Sequence, residues 1–251
     1  MIGDIVGKPG RRAIQTLVPS LRNEYKIDLV VANAENSAGG FGLTPDTSKE
    51  LLESGVDVLT TGNHVWDQKE IIPYMDGRLP ILRPLNFAPE VPGSGYLVTH
   101  NVLVVNLIGR VFMKTWECPF RTMDKLLNTV PDKPSMIVVD FHGEATSEKG
   151  AMGWYLDGRV SGVFGTHTHV GTIDTMILPK GTAYVTDLGM VGPRLSIIGD
   201  EPQGVIQRFL TQMHQRLSVA KGPARFSSVM VDIDESSGKA TSICRVDREL
   251  D

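Results

Sequence analysis

Apolar positions along this chain follow two rhythms, one helical and one extended, and for the first two-thirds they alternate. Ile14, Leu17, Val18 and Leu21 recur at helical spacing, and Pro19 inside that pattern is expected to kink or split the helix. Leu29-Val30-Val31-Ala32 follows as a buried strand. Ser37 to Gly42 is a glycine-rich loop. Thr44-Pro45 then has the order of an N-cap followed by proline at the first helical position, opening a helix to about Ser54 that Gly55 ends. Val56 to Thr61 is strand, Asp67 and Glu70 have capping-box spacing for a short helix, and Leu79 to Phe87 is an irregular connection.

Leu97 to Thr99 and Val102 to Ile108 flank His100-Asn101 as a hairpin. Met123 to Leu127 predicts a helix, Met136 to Phe141 a buried strand, Ser147 to Leu156 a helix, and Val163-Phe164 a further strand. Beyond His169 the rhythm turns extended. Thr175 to Leu178 pairs with Thr182 to Thr186 across a Pro-Lys-Gly turn, and Phe226 to Ile233 pairs with Ala240 to Val246. Between these, Val205, Ile206, Phe209, Leu210 and Met213 mark one amphipathic helix. A mixed sheet, or two sheets packed face to face and flanked by helices, accommodates both halves as a single α/β domain over 1–251.

With 41% hydrophobic residues over 251 positions, the chain can bury a substantial core. No apolar run is long enough to span a bilayer and no secretory leader is evident, which makes the cytoplasm the default location. The two cysteines, Cys118 and Cys244, lack the spacing of a structural zinc site and read as packing residues. A net charge of -4 without a Lys/Arg block argues against bulk nucleic-acid binding. A small phosphorylated ligand held through metal ions remains compatible with that charge.

Candidate chemistry gathers where the apolar strands stop. Asp4 follows Met1-Ile2-Gly3, Glu35-Asn36 follow Leu29 to Ala34, and Asn63-His64 follow Val58 to Gly62. His142 follows Ile137 to Phe141, and His167 and His169 follow Val163 to Thr166. Alternate residues of extended chain share a face, so His167 and His169 form half of a metal site. In parallel α/β sheets the ligand crevice lies outside the carboxyl ends of the strands. Singly, each residue has an ordinary structural role: Asp4 as a turn cap, Asn36 and Asn63 in left-handed loop positions, Glu35 paired with an arginine, His142 as a hydrogen-bonded core histidine. Jointly, three imidazoles, two carboxylates and two amide oxygens suit Mn, Fe, Co or Zn, and are too many for one ion. Two ions roughly 3.5 to 4 Å apart are the arrangement that activates water and clamps a phosphoryl group.

Gly3-Asp4, Gly62-Asn63-His64, His142 and Gly165-Thr166-His167-Thr168-His169, in this order, resemble the calcineurin-like metallophosphoesterase superfamily. Ala34-Glu35-Asn36-Ser37, Phe141 to Lys149 and Gly165 to Val170 are similar to its bacterial YmdB-like branch. Asp4-Ile5-Val6 lacks the usual histidine of Asp-x-His, and Glu35 replaces the usual bridging aspartate; both departures belong to that branch. The resemblance implies a β-sandwich of two mixed sheets flanked by helices. It implies that Asp4, Glu35, Asn36 and His169 hold one ion, with Glu35 bridging, and that Asn63, His142 and His167 complete the other. By the same resemblance His64 is the general acid, where the residues alone would make it a loop histidine bonded to a carbonyl. Only Met1, Ile2 and Gly3 precede Asp4, so either the sequence begins short or the first strand is stunted, and Asp4 is expected to be weakly anchored.

The function expected is a dinuclear phosphodiesterase, with Fe or Mn favoured and Zn or Co compatible, in which a metal-bound hydroxide attacks phosphorus and His64 protonates the departing alkoxide. The resemblance implies 2′,3′-cyclic nucleotides and related small phosphodiesters as substrates, and a homo-oligomer. A phosphomonoesterase such as a nucleotidase, or a regulatory protein that binds nucleotide or RNA without turnover, would use the same ligands. Arg110, Arg159 and Arg194 read equally as phosphate clamps or solvated loop cations, Glu144 as a residue orienting a ligand or a surface charge, and Trp66 and Trp154 as base platforms or core.

Overall fold

The computed structural model describes residues 1–251. The chain opens with β1 (Asp4–Ile5), α1 (Gly7–Tyr25), β2 (Val31–Asn33), α2 (Pro45–Glu53) and β3 (Val58–Thr60), followed by a 3-10 helix at Lys69–Tyr74. A hairpin of β4 (Tyr96–Thr99) and β5 (Val102–Ile108) leads into α3 (Pro119–Thr129), β6 (Met136–His142), α4 (Thr146–Leu156) and β7 (Gly162–Thr166). The last third holds β8 (Met176–Ile177), β9 (Ala183–Val185), β10 (Met190–Pro193) and α5 (Pro202–Thr211). It closes with β11 (Ala224–Phe226), β12 (Val229–Ile233), β13 (Ala240–Arg245) and β14 (Arg248–Leu250).

Two mixed layers result. One is a six-stranded sheet of order β4-β5-β6-β7-β9-β8, parallel through its centre and closed at each edge by an antiparallel strand. The other is assembled from shorter pieces: parallel β2-β3, the set β1-β10-β11-β14, and the β12-β13 hairpin. Ile2 joins these pieces by bridging to Ala32 on one side and Ser228 on the other.

Alternation along each strand assigns its two faces. On β6, Ile137, Val139 and Phe141 pack with Met123, Met152 and Leu156 beneath α3 and α4. Met136 and Val138 face the opposite way and join Val31, Val58, Val104, Phe164 and Val185 in the core between the layers. A third core, with Ile14, Val18, Leu51, Leu59 and Ile71, lies beneath α1 and α2. Burial of each such side chain contributes about 1.5 to 3 kcal/mol, so the sandwich is held on both faces of both sheets.

Several expectations meet corrections. Helix α1 runs unbroken through Pro19, whose exposed position leaves the unmatched carbonyl one turn earlier to water. Asp4 is not weakly anchored. β1 is short but central: Ile2 N–H donates to Val31 O at 2.8 Å, Asp4 N–H to Gly189 O at 3.1 Å and Val6 N–H to Val191 O at 2.8 Å. Asp67 caps no helix; its carboxylate meets His64 instead. In α5 only Val205 is buried, leaving Ile206, Phe209, Leu210 and the nearby Met213 exposed. Cys244 is likewise exposed, so only Cys118, half-buried, remains a candidate packing thiol. The Thr44 cap stands as predicted, with a reciprocal capping box to Thr47. No helix is long and apolar enough to cross a membrane.

Candidate active site

The strand ends that carry candidate ligands belong to two sheets, where the sequence suggested one sheet edge. β1, β2 and β3 deliver Asp4, Glu35-Asn36 and Asn63-His64 from one layer, while β6 and β7 deliver His142, His167 and His169 from the other. Parity explains why they meet. Asn33, Thr60, Asp140, His142 and Thr166 occupy the same alternation as the apolar residues of the core between the layers, so that core ends in polar side chains.

Around the Nε2 of His142 three acceptors converge: Glu35 Oε1 at 2.9 Å, Asn63 Oδ1 at 3.1 Å and His167 Nδ1 at 3.0 Å. Hydrogen bonds on the far edges of the rings fix which nitrogens carry protons. Thr166 donates its hydroxyl proton to Asp140 (2.7 Å), so it accepts from His142 Nδ1–H (3.0 Å) and leaves Nε2 facing the centre. Asp140 is completed by Thr60 and by Asn33 Nδ2 at 3.3 Å. Glu144 Oε2 sits 3.1 Å from His167 Nε2, which turns His167 Nδ1 inward. Beside this group, His169 donates from Nδ1 to Ile198 O at 2.7 Å, and its Nε2 lies 3.1 Å from the Asn36 amide and 3.8 Å from Asp4 Oδ1.

Backbone strain marks the same turn. His167 and His169 hold φ of 99° and 65°, left-handed values that cost on the order of 1 to 3 kcal/mol each in residues with a Cβ. Gly62 is required for close approach: a side chain there would run into the His142 ring.

The electrostatics are those of fixed, buried charge. Burial lifts the Asp4 carboxyl to about 6 against the pull of His169 and His142. Burial acts in the same direction on Glu35, yet contact with His142 outweighs it and holds Glu35 down to about 2. Distance separates the two carboxylates: Glu35 is 2.9 Å from a His142 nitrogen and Asp4 is 3.9 Å from one. Burial opposes a charge on His142, but Glu35 and Asp4 prevail and raise it to about 9. Burial and the neighbouring His142 press His167 down to about 3.

These residues fit divalent ions. Asp4 Oδ1 is buried with no hydrogen-bond donor aimed at it, and Glu35 Oε1 faces only His142 Nε2, a costly state for two buried carboxylates unless a cation completes it. One ligand atom each from Glu35, His142 and His167 lies within 4.8 Å of the others, forming a group able to hold a metal ion. Glu35, Asn63, His142 and His167 cluster on one side, and Asp4, Asn36 and His169 adjoin on the other.

His64 stands at the rim. Its backbone N–H donates to Glu35 Oε2 at 2.9 Å, its Nδ1 is 2.7 Å from Asp67 Oδ2, and its ring meets the edge of Phe41 from the glycine-rich loop. Arg159 is engaged by Asp124 and Arg194 by Glu249, while Trp66 packs on Phe87 and Trp154 is exposed on α4. Arg110 is held through its backbone by Glu148. Sequence alone gives no site role to Asp140, Thr166, Asp67 or Asp187: Asp140 is a polar residue within an apolar strand, Thr166 adjoins His167, Asp67 reads as a helix cap three residues beyond His64, and Asp187 follows the apolar run Ala183–Val185. An apolar cavity of about 490 Å³ lies between the layers at the amino ends of the strands, lined by Val31, Val138 and Val229 among others, away from His142.

Residues 1–246 match the sequence profile of the YmdB-like protein family. A Bacillus subtilis strain 168 protein named 2′,3′-cyclic-nucleotide 2′-phosphodiesterase is 45% identical over 98% of this chain and 94% of its own length. A Mycoplasma pneumoniae protein named putative phosphatase/phosphodiesterase is 36% identical over 95% of this chain and 88% of its own. Among solved structures, a hypothetical protein from Thermus thermophilus superposes with a TM-score of 0.94 at 42% identity, covering 100% of this chain and 98% of that one. A protein from Mycoplasma pneumoniae described as a novel phosphatase gives 0.93 at 34% identity, covering 100% and 92%. The sulfate thiohydrolase SoxB of Thermus, 13% identical with a TM-score of 0.55 over 99% of this chain and 43% of its own, shares the fold alone. Matched along almost its whole length, this chain belongs to the YmdB-like branch of the calcineurin-like metallophosphoesterases and is a hydrolase of the phosphoesterase class.

Proposed function

We propose that this protein is a dinuclear phosphodiesterase acting on 2′,3′-cyclic nucleotides and related small phosphodiesters. The observation that carries the dinuclear assignment is the convergence of acceptors from Glu35, Asn63 and His167 on His142 Nε2, beside a second cluster of Asp4, Asn36 and His169. In this reading Glu35 spans both clusters; Asp4, Asn36 and His169 hold one ion; Asn63, His142 and His167 hold the other. When bound, two divalent ions acidify water and screen charge on a phosphoryl group. Iron or manganese suits the mixture of imidazole, carboxylate and amide oxygen, and zinc or cobalt is compatible with it.

The chain's own groups supply the rest. His64, with Nδ1 tied to Asp67, keeps Nε2 for the departing alkoxide, the orientation that proton donation from that atom requires. Asp140 and Glu144 hold His142 and His167 in the tautomers that face inward. The diester assignment is supported by the name of the Bacillus relative. Monoester hydrolysis is the second reading, since the Mycoplasma relative carries both names. The catalytic unit is a single domain over 1–251, and a second copy is the expected partner. Metal analysis combined with turnover of 2′,3′-cyclic AMP, bis(p-nitrophenyl) phosphate and p-nitrophenyl phosphate on one preparation tests these assignments. Release of nitrophenol from the monoester alone would overturn the diesterase.

A further inference from the structure

Lys149 of α4 and Asp187, between β9 and β10, form an ion pair closed off from water. Nζ and Oδ2 are 2.5 Å apart and both side chains are 1% exposed. The hydrolytic chemistry uses neither residue. Such a pair is a poor device for stability, because desolvation offsets most of the attraction and an apolar pair of similar volume serves as well.

Its other contacts lead to the centre. Asp187 Oδ2 also accepts from Thr168, from the hydroxyl at 2.7 Å and from the backbone N–H at 3.3 Å. Asp187 Oδ1 accepts from Gly189 N–H at 2.8 Å, and Gly189 O in turn accepts from Asp4 N–H at 3.1 Å. Thr168 is the residue between His167 and His169, both of which hold left-handed backbone that a free loop would abandon. One buried carboxylate therefore ties down the middle of the His-Thr-His turn and the strand that carries Asp4. Lys149 keeps that carboxylate in place, since its ammonium is the one cation paired with it.

We propose that Lys149, Asp187 and Thr168 are positioning residues that set the two imidazoles of the His167-Thr168-His169 turn for metal binding. This rests on the assignment of His167 and His169 as ligands. The clamp acts through the backbone and touches neither ion nor substrate.

The test is titration of metal-free protein with Mn²⁺ by calorimetry and with Co²⁺ by visible absorption, alongside melting of the metal-free forms. Thr168→Val removes one donor and leaves the ion pair whole. The double change Lys149→Met with Asp187→Leu replaces the pair by apolar volume. Thr168→Val is expected to melt near the wild type without metal, and the double variant lower because the Thr168 and Gly189 N–H groups lose their acceptor; both are expected to bind Mn²⁺ about 10- to 100-fold more weakly and to give an altered Co²⁺ spectrum. Asp187→Asn, which leaves the buried Lys149 ammonium without a counter-charge, is expected to lose affinity and stability together. Wild-type affinity and spectrum in Thr168→Val and in the double variant would overturn the clamp while leaving the metal ligands assigned. A wild type that takes up neither ion would overturn the ligand assignment and the clamp with it.

Discussion

Glu144 Oε2 lies 3.1 Å from His167 Nε2, on the opposite edge of the ring from the nitrogen that meets His142 at 3.0 Å. A carboxylate bonded to the outer nitrogen of a ligand histidine fixes its tautomer and raises its basicity. Glu144→Ala is expected to weaken Mn²⁺ binding about 10-fold, read by calorimetric titration of the metal-free protein, with little change in melting temperature because Glu144 is half-exposed. Unchanged affinity would mean that this contact is an incidental surface pair.

Gly62 offers a steric test of the same group. A methyl placed there collides with the His142 ring, and overpacking of this kind costs about 1 to 3 kcal/mol. Gly62→Ala is expected to lower the melting temperature and to displace His142 from Glu35 and Asn63, reducing metal content in elemental analysis. Full metal content in a variant of normal stability would show that His142 has room to move.

Removal of metal should destabilise the protein. Asp4 Oδ1 is buried without a donor and Glu35 Oε1 faces only His142 Nε2, and a ligand present at 100 times its Kd stabilises a fold by about 2.7 kcal/mol. Dialysis against a chelator is expected to lower the melting midpoint, and Mn²⁺ to restore it. An identical midpoint in both states would argue against an ion at these oxygens.

His64 separates proton donation from metal binding. A general acid contributes about 10²- to 10⁴-fold, and its loss appears in kcat. His64→Ala is expected to keep its ions and its affinity for cyclic nucleotide while cleaving a diester with an alkoxide leaving group far more slowly. A diester of an activated phenol needs little protonation and should be affected much less. Asp67→Asn should show the same contrast in weaker form, because Asp67 holds Nδ1 at 2.7 Å. Equal losses on both substrates would remove His64 from this role.

The candidate residues stand out in the sequence because most follow an apolar run, and a strand's end in a parallel sheet is where a ligand crevice opens. Which sheet each strand joins was not legible, since Val58-Leu59-Thr60 and Val163-Phe164-Gly165 are buried on both faces and carry no alternation to separate layers. Parity hides in such runs: Asp140 stands within Met136–His142 as one polar residue among apolar ones, and only the opposed sheet shows Thr60 and Asn33 waiting for it. Anchoring of Asp4 was misjudged because length along the chain says nothing of how many neighbours flank a strand. The outward face of α5 failed for a related reason, since periodicity finds an apolar stripe but not what covers it.

Two ions per chain, with Glu35 shared between them, is the central assignment, and metal stoichiometry tests it most directly. Metal-free protein reconstituted with excess Mn²⁺ and freed of unbound ion is expected to hold about two ions per chain by elemental analysis, as a two-metal site requires. Glu35→Ala is expected to lose both, because one carboxylate serves both clusters. Saturation of the wild type at one ion per chain, or a Glu35→Ala variant that still holds two, would contradict the account.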